Sequence, residues 1–159
     1  MTRIGHGYDL HRLEDGLPLI LGGVTIPHTQ GCVAHSDGDL LSHAITDAIL
    51  GSAALGNIGQ HFPDTDPKYK NANSLDLLHD ANQMLRDAGY TIINIDATII
   101  AQQPKLNPHI DAIRAKLAGA LDLDVSFVSV KAKTNEYVGP EGREEAISAH
   151  AVALVESHG

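Results

Sequence analysis

The order in which the apolar segments change period constrains this chain most. Residues 2–12 and 18–26 read as strands joined by the turn Glu14-Asp15-Gly16, and Gly22-Gly23 interrupts the second strand and predicts a bulge. Leu40, Leu41, Ala44, Ile45, Ala48 and Ile49 then recur at helical spacing through about residue 53, in a helix that opens near Ser36-Asp37-Gly38. Residues 56–72 hold Gly, Pro, Asn and Asp with little periodicity and predict a long loop. A second helix runs from about Ser74 to Ala88, capped by Asn73 and stopped by Gly89. Thr91 to Gln102 reads as a strand. Asn107-Pro108 has the form of an N-cap and first-turn proline for a third helix to about Leu121. Val125 to Lys133 and Ala146 to Val155 read as strands. Two strands, two helices, a strand, a helix and two strands predict an α/β (α+β-like) fold over residues 1–159, a single domain with helices packed on one face of a sheet.

Such a sheet has a second face to cover. Aromatic residues make up only 4 % of the chain and Trp is absent, so Ile, Val, Leu and Ala must fill the core. With so few large side chains, the second face is expected to be buried between subunits. The formal net charge of −9 repels nucleic acid and anionic membrane, so neither is expected as a partner. An acidic protein that binds phosphates needs cations locally, and metal ions can serve. The single cysteine, Cys32, rules out an intrachain disulfide. No stretch approaches the run of about 18 apolar residues a membrane span needs, and the N-terminus lacks the apolar stretch of a signal peptide. The expectation is a cytoplasmic protein.

Asp9 and His11 stand two apart on the first predicted strand, so they point to one face. With His43 from the first predicted helix they offer two nitrogens and one oxygen, a set that suits zinc and leaves a coordination position open. A hydrogen-bonded surface pair fits the same spacing, and spacing alone leaves both readings open. In the stretch His35-Ser36-Asp37-Gly38-Asp39, Ser36 or Asp37 can cap the helix, while free N–H groups with His35 and Ser36 can also receive a phosphate. Asp47, one turn beyond His43, is either its orienting partner or exposed. The loop from Gly56 to Asp66 could be surface and nothing more. Ala101 to Asn107 lies between a strand and a helix, a common ligand position. Lys131 to Glu136 ends a strand with two cations, a hydroxyl and a carboxylate, able to grip a diphosphate and a cation if they lie near the metal site.

These segments together resemble the 2-C-methyl-D-erythritol 2,4-cyclodiphosphate synthase family of the non-mevalonate isoprenoid pathway. The matching stretches are Arg3 to His11, Ala34 to Asp39 with His43, Phe62 to Pro67, Ala101 to Lys105, and Lys131 to Glu136. They fall in order from residue 3 to about 155. The resemblance implies zinc on Asp9, His11 and His43, and magnesium or manganese on Glu136 with the substrate's phosphates. It implies a catalytic role for His35 and Thr134, with His35 and Ser36 on the phosphates and Asp9, Leu10 and His11 beside them. Asn57, Ile58, Gly59, Phe62, Pro63, Asp64, Thr65 and Asp66 would hold the methylerythritol part. Ala101, Gln102, Gln103, Pro104, Lys105, Leu106, Asn107, Ala132, Lys133 and Thr134 would hold the cytidine, with Asn135, Glu136, Pro140 and Arg143 completing the site. It further implies a homotrimer with active sites between subunits. Two departures stand out: Asn57 replaces a common aspartate, and Tyr137 to Arg143 departs from the family's usual run.

The implied reaction is an attack of the substrate's 2-phosphate on its β-phosphorus, with cytidine monophosphate leaving. A phosphate is already ionised at neutral pH, so no general base is needed. A zinc phosphohydrolase, in which water attacks, would use the same three ligands. A non-catalytic trimer that binds isoprenoid diphosphates would need no second metal site at Glu136.

Overall fold

The computed structural model describes residues 1–159. Five strands form one sheet in the order β4-β1-β7-β5-β6, from β1 (Thr2–Asp15), β4 (Gln30–Cys32), β5 (Tyr90–Ile100), β6 (Val128–Lys133) and β7 (Ala146–Ser157). Neighbours run antiparallel except β5 and β6, which are parallel. Helices α1 (Leu40–Ser52), α3 (Ser74–Asp87) and α4 (Ile110–Leu121) pack on one face of the sheet, as the periodicity predicts.

Small residues explain how closely these layers approach. On β1 the odd positions face α1: Gly5 and Gly7 are buried and Asp9 and His11 half-buried. A Cβ built on Gly5 would lie 1.8 Å from the Ala48 carbonyl oxygen, and one on Gly7 1.8 Å from that of Ala44. Strand and helix therefore touch backbone to backbone. This closeness brings His43, beside Ala44, against Asp9, two residues beyond Gly7. Gly7→Ala forces two backbones apart, with no flexible side chain to yield. It is expected to destabilise the protein by about 3 kcal/mol, read as a lower urea midpoint. An unchanged midpoint would mean that β1 lifts away at no cost.

The even positions of β1 lie on the opposite face, where only a short helix at Gly139–Gly142 packs, at the end near Ser148. Ile4 is 69 % exposed, and Tyr8, Leu10 and Val152 of β7 are exposed beside it. His6 and His150 meet on this face, with ring nitrogens 3.2 Å apart.

Several local expectations are corrected. Residues 18–26 are not one bulged strand but a hairpin, β2 (Leu19–Leu21) and β3 (Val24–Ile26), turned at Gly22-Gly23. The Asp39 carboxylate accepts the Gly22 and Gly23 N–H groups at 2.9 and 2.8 Å and also the Ser42 N–H and hydroxyl. Asp39 is thus the N-cap of α1, the role expected of Ser36 or Asp37. The 56–72 loop contains the four-residue α2 (Ile58–His61) and a 3₁₀ turn at Pro67–Tyr69. Asn107 does not cap α4; it opens a 3₁₀ turn, and α4 starts at Ile110. Val125–Phe127 is a 3₁₀ turn held by Asp124 rather than the start of β6. A short helix, α5 (Gly139–Gly142), precedes β7.

Candidate functional site

Asp9, His11 and His43 converge, with one ligand atom from each lying within 4.8 Å of the others. His11 Nδ1 is 2.8 Å from the Val33 carbonyl oxygen, which can only accept, so that nitrogen carries the hydrogen. Its Nε2 lone pair then faces Asp9 Oδ2 at 2.9 Å. His43 Nε2 is engaged by the hydroxyls of Ser74 and Ser36, at 2.8 and 3.1 Å, and its Nδ1 faces the same Asp9 oxygen at 3.0 Å. Two imidazole lone pairs and a carboxylate oxygen aimed at one point repel unless a cation lies between them. A proton can serve, and so can a divalent metal with nitrogen and oxygen ligands. This donor set therefore fits zinc.

The charges respond accordingly. Burial works to raise the Asp9 carboxyl, but with a proton in the place of a metal between the ligands, hydrogen bonds from His11 and His43 and their charge hold it down at about 2. Burial works to lower the His11 imidazole, yet the hydrogen bond and charge of Asp9 outweigh it and raise it above the usual 6.5. Burial, then the nearby Asp39 and Asp9 charges, pushes the Cys32 thiol up to about 12, and Cys32 is not among the side chains that converge with Asp9.

A pH dependence follows. In the metal-free protein, the stabilisation from protonated His11 is fully present below 6.5 and is lost as pH rises through the raised folded value. Metal competes with that proton, so zinc affinity should rise through the same range with proton release. Calorimetry in two buffers of different ionisation heat measures the released proton. Affinity flat across this range would contradict the assignment.

A cavity of about 420 Å³ opens beside these ligands, lined also by Val33, Ala34, His35, Ser36, Ile58, Gly59, Phe62, Asp64, Tyr69 and Leu77. Phe62 meets Tyr69 edge to face, with ring centroids 5.6 Å apart, and forms its apolar wall. His35 Nε2 is held by the Asp66 carbonyl oxygen at 3.1 Å. A second cavity of about 570 Å³ lies where β5 and β6 end, lined by Ala101 to Pro108, Ala132, Lys133, Thr134, Glu136 and Tyr137. Glu136 and Tyr137 both take left-handed backbone, with φ of 52° and 65°. Such residues are strained by about 1–3 kcal/mol each. The Tyr137 N–H donates to Gln102 Oε1 at 3.1 Å, and Asn135 Nδ2 to Glu141 at 2.9 Å, which hold the turn and keep Glu136 at the cavity edge. The two cavities share no lining residue.

Other expected site residues lie elsewhere. Leu10 points to the opposite face, as alternation requires once Asp9 and His11 face α1. Asn57 lines neither cavity; its side chain accepts the Gln60 N–H in a capping box that starts α2. Pro63, Thr65 and the Asp66 side chain also lie outside the cavity lining, and Asp66 instead caps the 3₁₀ turn through the Lys68 N–H. Asn135, Pro140 and Arg143 line neither cavity, and Arg143 pairs with Glu145 at 3.1 Å. Asp47 does not touch His43; it accepts the Ile58 N–H at 2.7 Å and so anchors α2. Val33, Tyr69, Leu77, Pro108 and Tyr137 line the cavities without having been expected. Tyr69 carries a possible sequence signal, a rare aromatic in a polar loop; the others carry none.

A model of the YgbB family matches residues 2–156. The chain is 59 % identical over 155 residues to a 2-C-methyl-D-erythritol 2,4-cyclodiphosphate synthase of Chromobacterium violaceum, covering 98 % of each. It superposes on the bifunctional IspDF of Campylobacter jejuni with TM-score 0.96 and 44 % identity, covering 99 % of this chain but 43 % of that one. It also matches a 2C-methyl-D-erythritol-2,4-cyclodiphosphate synthase in its CDP-bound form, with TM-score 0.89 and 38 % identity over 97 % of this chain and all of the other.

Proposed function

From a chain that belongs to the YgbB family, we infer an enzyme whose site is assembled for cyclisation of a nucleotide-linked diphosphate. It is a 2-C-methyl-D-erythritol 2,4-cyclodiphosphate synthase, a lyase. It converts 4-diphosphocytidyl-2-C-methyl-D-erythritol 2-phosphate to the 2,4-cyclodiphosphate and releases CMP. The observation that carries the reading is the convergence of Asp9, His11 and His43 beside a cavity floored by His35 and Ser36.

Asp9, His11 and His43 would hold zinc, and Glu136 would hold magnesium or manganese, which would supply positive charge beside the substrate's phosphates. Ser36 donates its hydroxyl hydrogen to the substrate's phosphates, and His35, once its Nε2–H turns from the Asp66 carbonyl to them, helps orient the 2-phosphate towards the β-phosphorus. Both groups belong to one substrate, so the step is intramolecular, and the protein's part is to hold them in the reactive geometry against their repulsion. Ile58, Gly59 and Phe62 shape the space for the branched tetrol. Ala101 to Asn107 and Ala132 hold the cytidine in the second cavity. Lys133 and Thr134 offer a cation and a hydroxyl to the departing CMP phosphate. One phosphorus–oxygen bond forms, from the 2-phosphate oxygen to the β-phosphorus, as the bond from that phosphorus to the CMP oxygen breaks, and no proton needs removal from the nucleophile.

A substrate that needs both cavities fits best between two copies of the chain. The bare sheet face, with Ile4, Tyr8, Leu10 and Val152 exposed, supports burial against other copies, and the assembly we propose is a homotrimer of single domains spanning 1–159. No helix is long and apolar enough to cross a membrane; the protonated, buried Cys32 suits the reducing cytoplasm we propose for the enzyme. Phosphorus NMR with the cytidine diphosphate substrate tests the function. Cyclic diphosphate and CMP are expected; linear phosphates alone would mean hydrolysis, and an unchanged spectrum would mean a binding protein.

A further inference from the structure

Ser74 is fully buried at the first turn of α3, outside every motif that marks the site. Its Oγ is 2.5 Å from Asp37 Oδ1 and its N–H donates to Asp37 Oδ2 at 3.0 Å. A carboxylate only accepts, so the Ser74 hydroxyl hydrogen is committed to Asp37. The same Oγ, 2.8 Å from His43 Nε2, can then only accept. His43 must carry its hydrogen on Nε2, and Nδ1 is left with the lone pair that faces Asp9.

Ser36 Oγ also lies near His43 Nε2, at 3.1 Å, and accepts the Gly38 N–H at 3.3 Å. Because Ser74 takes the shorter bond, Ser36 keeps its own hydrogen free to point into the cavity it lines. Three elements therefore meet in one chain of hydrogen bonds: the loop before α1 through Asp37, the start of α3 through Ser74, and α1 through His43. Asp37 is itself fixed, its N–H donating to the Ala72 carbonyl and its Oδ1 accepting the Asp39 N–H at 3.1 Å.

We propose that Ser74, anchored by Asp37, is the positioning residue that locks His43 as an Nδ1 metal ligand and leaves the Ser36 hydroxyl free for a substrate phosphate. The assignment rests on the reading of Asp9, His11 and His43 as a zinc site. An outer partner that fixes a histidine's tautomer and ring orientation typically changes metal affinity 10–100-fold.

The test is zinc affinity of the full-length protein, measured by competition with a chromophoric chelator. Ser74→Ala should bind zinc about 10–100-fold more weakly, while Ser36→Ala should keep wild-type zinc affinity and raise KM. In zinc-loaded protein, nitrogen-15 NMR of the His43 ring should show hydrogen on Nε2 alone in the wild type and a mixture of the two ring orientations in Ser74→Ala. Thermal melting of the metal-free variants separates positioning from mere folding, since a positioning loss appears in affinity at unchanged melting temperature. Should Ser74→Ala fail to fold, Asp37→Asn decides: it keeps an acceptor for Ser74 but drops the charge, and affinity should fall several-fold. Wild-type affinity in the folded variant overturns the proposal, as does a larger loss in Ser36→Ala than in Ser74→Ala. Wild-type protein that binds zinc through these ligands yet forms no cyclic product sinks the cyclase reading and leaves this proposal intact. Wild-type protein that binds no zinc there sinks both.

Discussion

Purified with zinc in excess, His43→Gln is expected to carry no tightly held metal and to turn over at least about 10³-fold more slowly than the wild type. Glutamine keeps a polar side chain of similar reach but loses the imidazole lone pair. Only Asp9 and His11 then remain, and two protein ligands seldom hold zinc at a site built for three. Asp9 also loses one of the two partners that hold its carboxyl near 2. The fold should survive, because the residues of α1 that build the core, Leu41, Ala44, Ile45, Ala48 and Ile49, are untouched. A stability loss of about 1–2 kcal/mol is the ordinary cost of a half-buried substitution. Elemental analysis with a steady-state assay reads both effects. A variant that retains one zinc per chain and near-normal turnover would remove His43 from the metal set.

The long, strongly periodic elements were legible from the residues alone. β1, α3, β5 and β7 begin within a residue or so of where alternation and helical spacing put them. So was the same-face geometry of Asp9 and His11, because strand alternation is a local rule. Other features depend on partners distant in sequence. The Gly22-Gly23 pair looked like a bulge because its turn is fixed by Asp39, 16 or 17 residues later. β4 spans only three residues and exists by pairing with the far end of β1. Asp47 sits one turn from His43 on a helix, yet its carboxylate turns to the Ile58 N–H, a choice that the loop makes and periodicity cannot reveal. Leu10 is the opposite case: alternation already turned it away from Asp9 and His11, and only the resemblance suggested otherwise. The α2 capping box of Asn57 and Gln60 was written in the sequence, but four residues are too few to give a period.

The second large effect is expected at Glu136. Glu136→Gln preserves size and removes one charge from the edge of the second cavity, where Lys133 and Thr134 also lie. Carboxylate oxygen is the hard ligand that magnesium and manganese prefer, and an amide is a far weaker one. The strained turn tells against an accidental position. Two successive left-handed residues, pinned by Gln102 and by the Asn135–Glu141 bond, hold this side chain where an unconstrained loop would not. Because the turn is held by backbone and neighbouring side chains, the substitution should leave stability within about 0.5 kcal/mol. Zinc content should be unchanged, since Asp9, His11 and His43 belong to the other cavity. CMP affinity should weaken only modestly, because Ala101 to Asn107 and Ala132, the residues assigned to the nucleoside, are untouched. Turnover, in contrast, should fall by about 10²–10³-fold, because lost charge compensation is felt most where negative charge builds on the leaving phosphate. The pattern to look for is a large drop in kcat with a small change in KM and CMP binding. A variant that turns over at the wild-type rate with magnesium present would show that Glu136 holds no catalytic cation, and cyclisation would then depend on the zinc site and the cavity's hydrogen-bond donors alone.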